Sequence, residues 1–367
     1  MKSVLIINDT SGTYHHGCHG TSQALVRGFQ ARGCMVRTMP VNYSHHAQPV
    51  VTEEAQFEEK AFAEQFHDTN ILTSVLMEEA DLVVVNMEGT LHRLRGSARM
   101  LLWLAWYAKR WMATPVMLVN GSLFPYGKAQ QPQSADDQLA QRLYQKVLRV
   151  MDGVVVRDPI SKQVAEQMGV PVQQGYDSLP LFLHTLELDD QVPAYDLCLS
   201  SGVATPVAET IDYVEHALTL GLRCAFVMGA HRQPALEDVA ALKALQAHFG
   251  HRCDFVNCAD EQRFFSILNK SRAILTDRFH YVVAANFLGV PLFVGESNTP
   301  KIQGISGWRV GLWLKKSHFL TLPNRDAFLQ AIRQQTADAS VREEILQLSR
   351  VNQDLAHHFL FHQAHER

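Results

Sequence analysis

The sequence predicts an α/β protein of two successive domains, each built on a largely parallel sheet. Three observations carry that prediction. The 367 residues exceed one ordinary core and suit two domains of about 100–200 residues each. Short apolar runs alternate with longer periodic segments, the pattern of βα units feeding a parallel sheet. The stretch LELDDQVPAY, residues 186–195, is acidic, contains Pro193 and separates two such series, so it reads as a linker.

The elements follow in order. In the first series the strand candidates are SVLIIN, DLVVVN, PVMLVNG and DGVVVR, each followed by a segment long enough for a helix. In the second they are DLCLSS, LRCAFVMG, CDFVN, RAILT and PLFVG. The expected domains are 1–185 and 195–335, with a helical segment at 336–367. That segment is periodic and polar on one face from Ser340 onward, as expected of a helix packing back on a domain. The run MLLWLAWYAKRWM is interrupted by Lys109 and Arg110, so it reads as a buried amphipathic helix. No apolar stretch approaches the ~20 residues that span a bilayer. The run Ser3 to Ile7 is too short for the apolar region of a signal peptide, and a cytoplasmic protein is expected.

Composition narrows the classes further. A hydrophobic share of 47% with 19% charged residues is that of an ordinary soluble protein. The net charge of −4 and the absence of a long basic run argue against a nucleic-acid surface, while leaving room for a local basic site and a small anionic ligand. The six cysteines, Cys18, Cys34, Cys198, Cys224, Cys253 and Cys258, form no CxxC pair, so reduced, packed thiols and no structural zinc are expected.

Polar residues fall just after the strand candidates: Asn8-Asp9, Asn86 and Glu88, Asn120 and Ser122, Arg157-Asp158, Asp277-Arg278. Ligands of open α/β sheets bind at strand carboxyl ends, and a cleft between two such domains is the expected reaction site. Helix capping is the competing explanation at each junction. The first loop, NDTSGTYHHGCHGTSQALVRGF, leads into a helix near Gly20; Gly12, Gly17 and Gly20 allow close approach of an anion to backbone amides. It matches neither the P-loop nor GxGxxG. His15, His16 and His19 lack an acidic partner at metal-ligand spacing, so no metal is assigned.

In VVVNMEGTLHRLRGSARM, Glu88, Gly89, Thr90 and His92 crowd the turn before a helix expected to carry Arg93, Arg95 and Arg99. Glu88 suits a hydroxyl-binding or basic carboxylate, or a first-turn helix acid. In VVVRDPIS, Asp158 reads as an N-cap with Pro159 at the first helical position. Arg157 then needs a partner, Asp158 or an incoming anion. In ILTDRFHYVVAANFLGVPLFVGESNTPKIQGI, Asp277 is expected to cap a helix ending at Gly289. Arg278 and His280 ride on its first turn, and Ser297, Asn298, Thr299 and Lys301 follow from the next strand end. A phosphate or carboxylate there meets amides and a guanidinium together.

The ordered set GTYHHGCHGTSQAL, VVVNMEGTLH, VVVRDPIS with GYDSLP, TDRFHYVVAANFLGVPLFV and SNTPKIQGI resembles the polysaccharide pyruvyl transferase family. The resemblance implies two Rossmann-like domains facing a cleft, similar to the GT-B glycosyltransferases. It implies phosphoenolpyruvate as donor and a sugar diol of a bacterial polysaccharide or lipid-linked precursor as acceptor, with a cyclic ketal as product. Catalytic roles fall on His280, Arg278 and Lys301, and donor binding on Arg157, Ser297, Asn298 and Thr299 of a donor-side second domain. The first domain would be the acceptor side, with Gly12, His16, Gly17, Asn86, Glu88, Thr90, His92 and Asn120. No cofactor, metal or nucleic-acid partner is implied; peripheral membrane association and oligomeric state stay open. Met87 stands where relatives are expected to carry a small residue. The chemistry suits these residue types: a three-carbon dianion needs fixed cations, and a histidine with pKa near ~6.5 can give and take a proton, typically worth ~10² to 10⁴ in rate. Two alternatives share the scaffold, a glycosyltransferase using a nucleotide sugar and a non-catalytic glycan- or nucleotide-binding protein.

Overall fold

The computed structural model describes residues 1–13, 15–129, 131–202, 205–230, 236–297, 299–306, 313–335 and 339–363. Two six-stranded sheets, parallel at every described pairing, organise the chain. The first contains β1 (Ser3–Asp9), β2 (Met35–Pro40), β3 (Leu82–Glu88), β4 (Val116–Gly121), β5 (Gly153–Val156) and β6 (Gln173–Gln174), in the order β2-β1-β3-β4-β5-β6. The second contains β7 (Leu197–Ser200), β8 (Cys224–Gly229), β9 (Asp254–Cys258), β10 (Ile274–Thr276), β11 (Leu292–Val294) and β12 (Trp313–Lys315), in the order β12-β11-β10-β7-β8-β9. Renumbered from β7, that order is 3-2-1-4-5-6, the Rossmann arrangement. Each sheet reverses direction of growth at one point, between β1 and β3 in the first and between β7 and β10 in the second.

The chain forms two compact units. The first comprises Met1–Gly12, Thr21–Ser178 and the described residues from Leu348 onward. Its sheet is buried on both faces, as a parallel sheet requires. Leu5, Ile7, Val83, Val85 and Met87 face one core, with Trp103 and Tyr107 of the helix Gly96–Arg110. Val4, Ile6, Val84 and Val119 face the other, with Leu25, Phe29, Ala356, Phe359 and Leu360. The alternation along β1 and β3 is the period of two that a strand imposes. The helix Gly96–Arg110 is buried over nearly its whole length, and Lys109 leaves it to pair with Asp152 at 2.7 Å, so the run MLLWLAWYAKRWM is core. The C-terminal helix Ala339–His358 contributes Asn352, which accepts a hydrogen bond from the Asn120 amide at 2.8 Å and donates to the Tyr176 carbonyl at 2.8 Å.

The second unit comprises Thr13–Gly20 and Leu179–Gln347. Leu197, Leu199, Phe226, Leu275 and Phe293 of its strands pack with Phe319 and Phe328. The units are thus not the two consecutive stretches expected at 1–185 and 195–335. Thr13–Gly20 is drawn to the second unit by packing of its glycines and histidines, described below. The residues from Leu348 return to the first by burying Ala356, Phe359 and Leu360. No helix among the described residues is long and apolar enough to cross a membrane.

Candidate active site

At the switch point of the second sheet, β7 and β10 pair in register, Ile274 with Cys198 and Thr276 with Ser200. Their carboxyl ends therefore lie side by side. Asp277 does not cap the helix Phe279–Leu288, contrary to expectation. Its carboxylate accepts from the Gly202 amide and the Thr205 hydroxyl and pairs with Lys316 at 3.2 Å, stitching neighbouring strand ends together. The N-cap is Arg278, with extended backbone (φ −96°, ψ 125°) and no capping bond from its own side chain; its amide donates to Thr276 Oγ1 at 3.0 Å. Arg278 donates from Nε to the Ser201 carbonyl at 2.6 Å and pairs through Nη2 with Asp238, whose carboxylate is 6% exposed. The guanidinium is thereby held at the switch point by one carbonyl and one carboxylate. The helix ends as expected, at Gly289 with left-handed backbone (φ 75°).

The segment Thr13–Gly20 packs onto this helix start. His15 forms an antiparallel bridge with Ala230, just beyond β8. His16, 1% exposed, donates from Nε2 to the Cys258 carbonyl at 2.8 Å and lies 5.2 Å from the Phe264 ring. It is an anchor for the segment, not the ligand-facing residue expected. Gly17 does allow a close approach, but of protein: a methyl group there would stand 2.5 Å from His280 Cγ and 2.8 Å from Nδ1. At Gly20 it would stand 2.7 Å from Leu179 and 2.9 Å from Phe182. The first turn of the helix His16–Ala31 thus presents bare backbone to His280 at Gly17 and to Leu179 and Phe182 at Gly20. Cys18 Sγ lies 3.7 Å from His280 Nδ1. Two helix starts, each the positive end of its peptide dipoles, thus meet around the His280 side chain.

His15 titrates abnormally here. Burial first, then the positive charges of Arg278 and of protonated His280 and His16, push its pKa down to about 3. It stays neutral through the pH range in which an ordinary histidine charges.

Lys301 opens the helix Lys301–Ser306, and its ammonium lies 5.8 Å from the centre of the Phe279 ring. Thr299 is buried, its hydroxyl without a hydrogen bond among the described residues. Ser297 is half-buried in the preceding loop. Asn298 lies outside the described residues.

At the switch point of the first sheet, β1, β3 and β4 end in left-handed backbone at Asn8 (φ 64°), Glu88 (φ 42°) and Asn120 (φ 58°). Asparagine tolerates this conformation; for glutamate it is uncommon and signals a constraint imposed by the surroundings. The three amides brace one another: Asn8 donates to the Asn86 carbonyl at 2.6 Å, and Asn120 to Asn86 Oδ1 at 2.9 Å. Thr90 Oγ1 accepts from Asn8 at 3.3 Å. Glu88, 6% exposed, accepts through Oε1 from Thr10 and, at 3.5 Å, from Asn86. It caps no helix, because the next one starts only at Gly96 with Arg95 as N-cap; of the three arginines expected on that helix only Arg99 lies on it. His92 donates from Nδ1 to the Gly89 carbonyl at 3.2 Å within the same turn, and Gly12 is an exposed turn residue. Met87 does not face the strand ends: it enters the core against Gly121, where a methyl group would meet its Cε at 2.5 Å.

Arg157 is 2% exposed and pairs at 2.6 Å with the equally buried Asp177, while Nε donates to Ser122 at 3.1 Å. Asp158 caps the following helix by accepting from the Ser161 amide at 2.8 Å, as expected. Asp177 and Asp238 were not anticipated as partners, since each lies far along the chain from its arginine and carries no local signal.

Two outcomes follow. Gly17→Ala should destabilise the protein by about 1–3 kcal/mol through overpacking, and most of that loss should vanish when His280→Gly, which removes the Cβ as well as the ring, is already present, in a double-mutant cycle of denaturant melts. Additive losses would show that the contact is absent. For His15 the folded pKa lies below the unfolded one, so between about 6.5 and 3 the unfolded state binds more protons. Its contribution is complete above pH 6.5 and is lost as pH falls. His15→Gln should flatten the acid side of the stability curve by up to about 1.4 kcal/mol per pH unit near pH 5; parallel curves would contradict the assignment.

Comparison with known structures supports the fold. UDP-N-acetylglucosamine 2-epimerase from Rickettsia bellii is similar with a TM-score of 0.59 at 12% identity, covering 98% of this chain and 97% of that one. UDP-GlcNAc 2-epimerase from Methanocaldococcus jannaschii gives 0.57 at 12% identity, over 96% and 99%. The Neisseria meningitidis enzyme bound to UDP-GlcNAc gives 0.55 at 13% identity, over 94% of each chain. Such likeness is one of fold, and the fold is GT-B-like with two Rossmann-like units. No curated protein matches the chain. Residues 114–294, from the approach to β4 through Arg157 and Arg278–His280 to the end of β11, match the family model described as Polysaccharide pyruvyl transferase, the family that the sequence resembles.

Proposed function

We propose that the chain transfers the pyruvyl group of phosphoenolpyruvate to a sugar diol of a bacterial polysaccharide or its precursor, forming a cyclic ketal and inorganic phosphate. The observation that carries this reading is the helix start Arg278–His280, sited at the switch point of a Rossmann-order sheet with its guanidinium fixed by the Ser201 carbonyl and Asp238. The positive end of a helix and a fixed guanidinium suit a phosphate or carboxylate, and an imidazole sits beside them.

The reaction balances with one proton-transferring group. His280 gives a proton to the donor's methylene carbon, which becomes a methyl group. One acceptor hydroxyl forms a bond to the central carbon, the bond to the phosphate oxygen breaks, and the second hydroxyl closes the ring. Of the two hydroxyl protons, one restores His280 and the other leaves with phosphate or solvent. Arg278, Lys301 and the helix amides offset the charge on the departing phosphate. Ser297, Asn298 and Thr299 are assigned to donor positioning. The chemistry as written asks for no resident cofactor or metal.

Arg157 is assigned an indirect part in donor binding, since Asp177 already compensates its charge. Acceptor hydroxyls are assigned to the strand ends of the first unit, where Glu88 offers a carboxylate and Thr90 a hydroxyl, while Asn86 and Asn120 hold the backbone beneath them. Phosphoenolpyruvate is a soluble metabolite of the cell interior, so the reading places the protein in the cytoplasm, with contact to membrane only through a lipid-linked acceptor.

Phosphoenolpyruvate should raise the melting temperature, because a ligand binding only the folded state stabilises it, and UDP-GlcNAc should not. His280→Ala should keep that stabilisation yet lose about 10² to 10⁴ of acceptor-dependent phosphate release. Stabilisation by UDP-GlcNAc alone would favour a nucleotide-sugar enzyme on the same scaffold, and undiminished phosphate release by His280→Ala would remove the histidine from the chemistry.

A further inference from the structure

We infer that Cys18 is a positioning residue for His280, its sulfur accepting the Nδ1–H so that Nε2 is the nitrogen that gives and takes the proton. The inference rests on the reading of His280 as the proton-transferring group. Five of the six cysteines are buried and packed; Cys18 is the half-exposed one. It sits on the first turn of the helix His16–Ala31, with Sγ 3.7 Å from His280 Nδ1. That distance is within reach of a hydrogen bond to the larger sulfur atom.

The ring has little freedom to leave this contact. The Gly17 backbone occupies the space beside His280 Cγ and Nδ1 so closely that a methyl group would overlap both. The Nδ1 edge therefore faces the turn that carries Cys18. The two nitrogens of an imidazole are distinct, and the hydrogen bond made by one decides which tautomer the other presents. In the Ser-His-Asp triad a carboxylate holds Nδ1–H and leaves Nε2 to the chemistry. A thiol sulfur is a much weaker acceptor, so the same arrangement here should give a smaller effect, nearer that of an outer ligand on a metal-bound histidine, about 10- to 100-fold.

The test reads the tautomer directly and then the rate. With the full chain labelled in its histidine nitrogens, the His280 signals are assigned by their disappearance in His280→Gln. Above the titration of the ring, wild-type His280 should show a protonated Nδ1 and a bare Nε2. Cys18→Ala should shift the balance toward the Nε2–H form, and Cys18→Ser, which keeps an acceptor of similar position, should restore the wild-type pattern. In phosphate release, Cys18→Ala should lower kcat about 10-fold with KM for phosphoenolpyruvate unchanged and with the pH–rate profile displaced, whereas Cys18→Ser should lie near wild type. Wild-type His280 carrying its proton on Nε2, or nitrogen signals and a pH profile untouched in Cys18→Ala, would overturn the inference. The nitrogen signals need no donor. Failure of phosphoenolpyruvate turnover with the expected tautomer would count against the proposed reaction alone, and turnover with an unresponsive tautomer against the role of Cys18 alone.

Discussion

A parallel sheet buried on both faces leaves its polar chemistry only one place, the ends of its strands. Both sheets of this protein obey that constraint, and their functional candidates follow from it. β3 and β4 are buried at every position, so side chains that meet a ligand must come from the residues just beyond them. Where the order of strands reverses, two adjacent ends diverge and expose backbone. Asn8, Glu88 and Asn120 stand at one such point and Arg278 at the other. The left-handed backbone at the first three turns the chain sharply off the sheet, and the Asn352 side chain, delivered by the C-terminal helix, holds the Asn120 amide in that conformation.

Charge at these strand ends is more nearly balanced than a count of arginines suggests. Arg157 is compensated by Asp177, Arg278 by Asp238 and Lys316 by Asp277 and Glu209. Burying an unpaired cation would cost several kcal/mol, so each partner is what allows the cation to be there at all. Beside these pairs stand sources of positive potential with no formal charge to compensate, the starts of the helices Phe279–Leu288 and His16–Ala31. The neutral His15 fits this picture, since burial and the Arg278 guanidinium both disfavour a charged imidazole there.

Interior strands were legible in the sequence because double burial writes them as unbroken apolar runs; SVLIIN, DLVVVN and RAILT are of this kind. The strands left unread, β2, β6 and β12, all lie at sheet edges. β2 mixes exposed and buried positions through MVRTMP, and β6 is two glutamines long, so neither carries that signature. The motif TDRFH was legible as a strand end followed by a helix, but not the division of labour within it, because the partners of Asp277 and Arg278 come from Thr205, Lys316 and Asp238. Gly17 was legible as a place of close approach; that the approaching body is His280, 263 positions away by their numbering, is tertiary information no local pattern holds.

The central claim is that the helix start at Arg278–His280, together with the turn His15–Cys18, receives the phosphate and carboxylate of a small donor. Amide hydrogen exchange with and without phosphoenolpyruvate tests it most directly, because a ligand that accepts from amides at a helix start slows their exchange. The account predicts slowed exchange in peptides covering 276–283 and 15–20. Unchanged exchange in both peptides at donor concentrations that raise the melting temperature would contradict it.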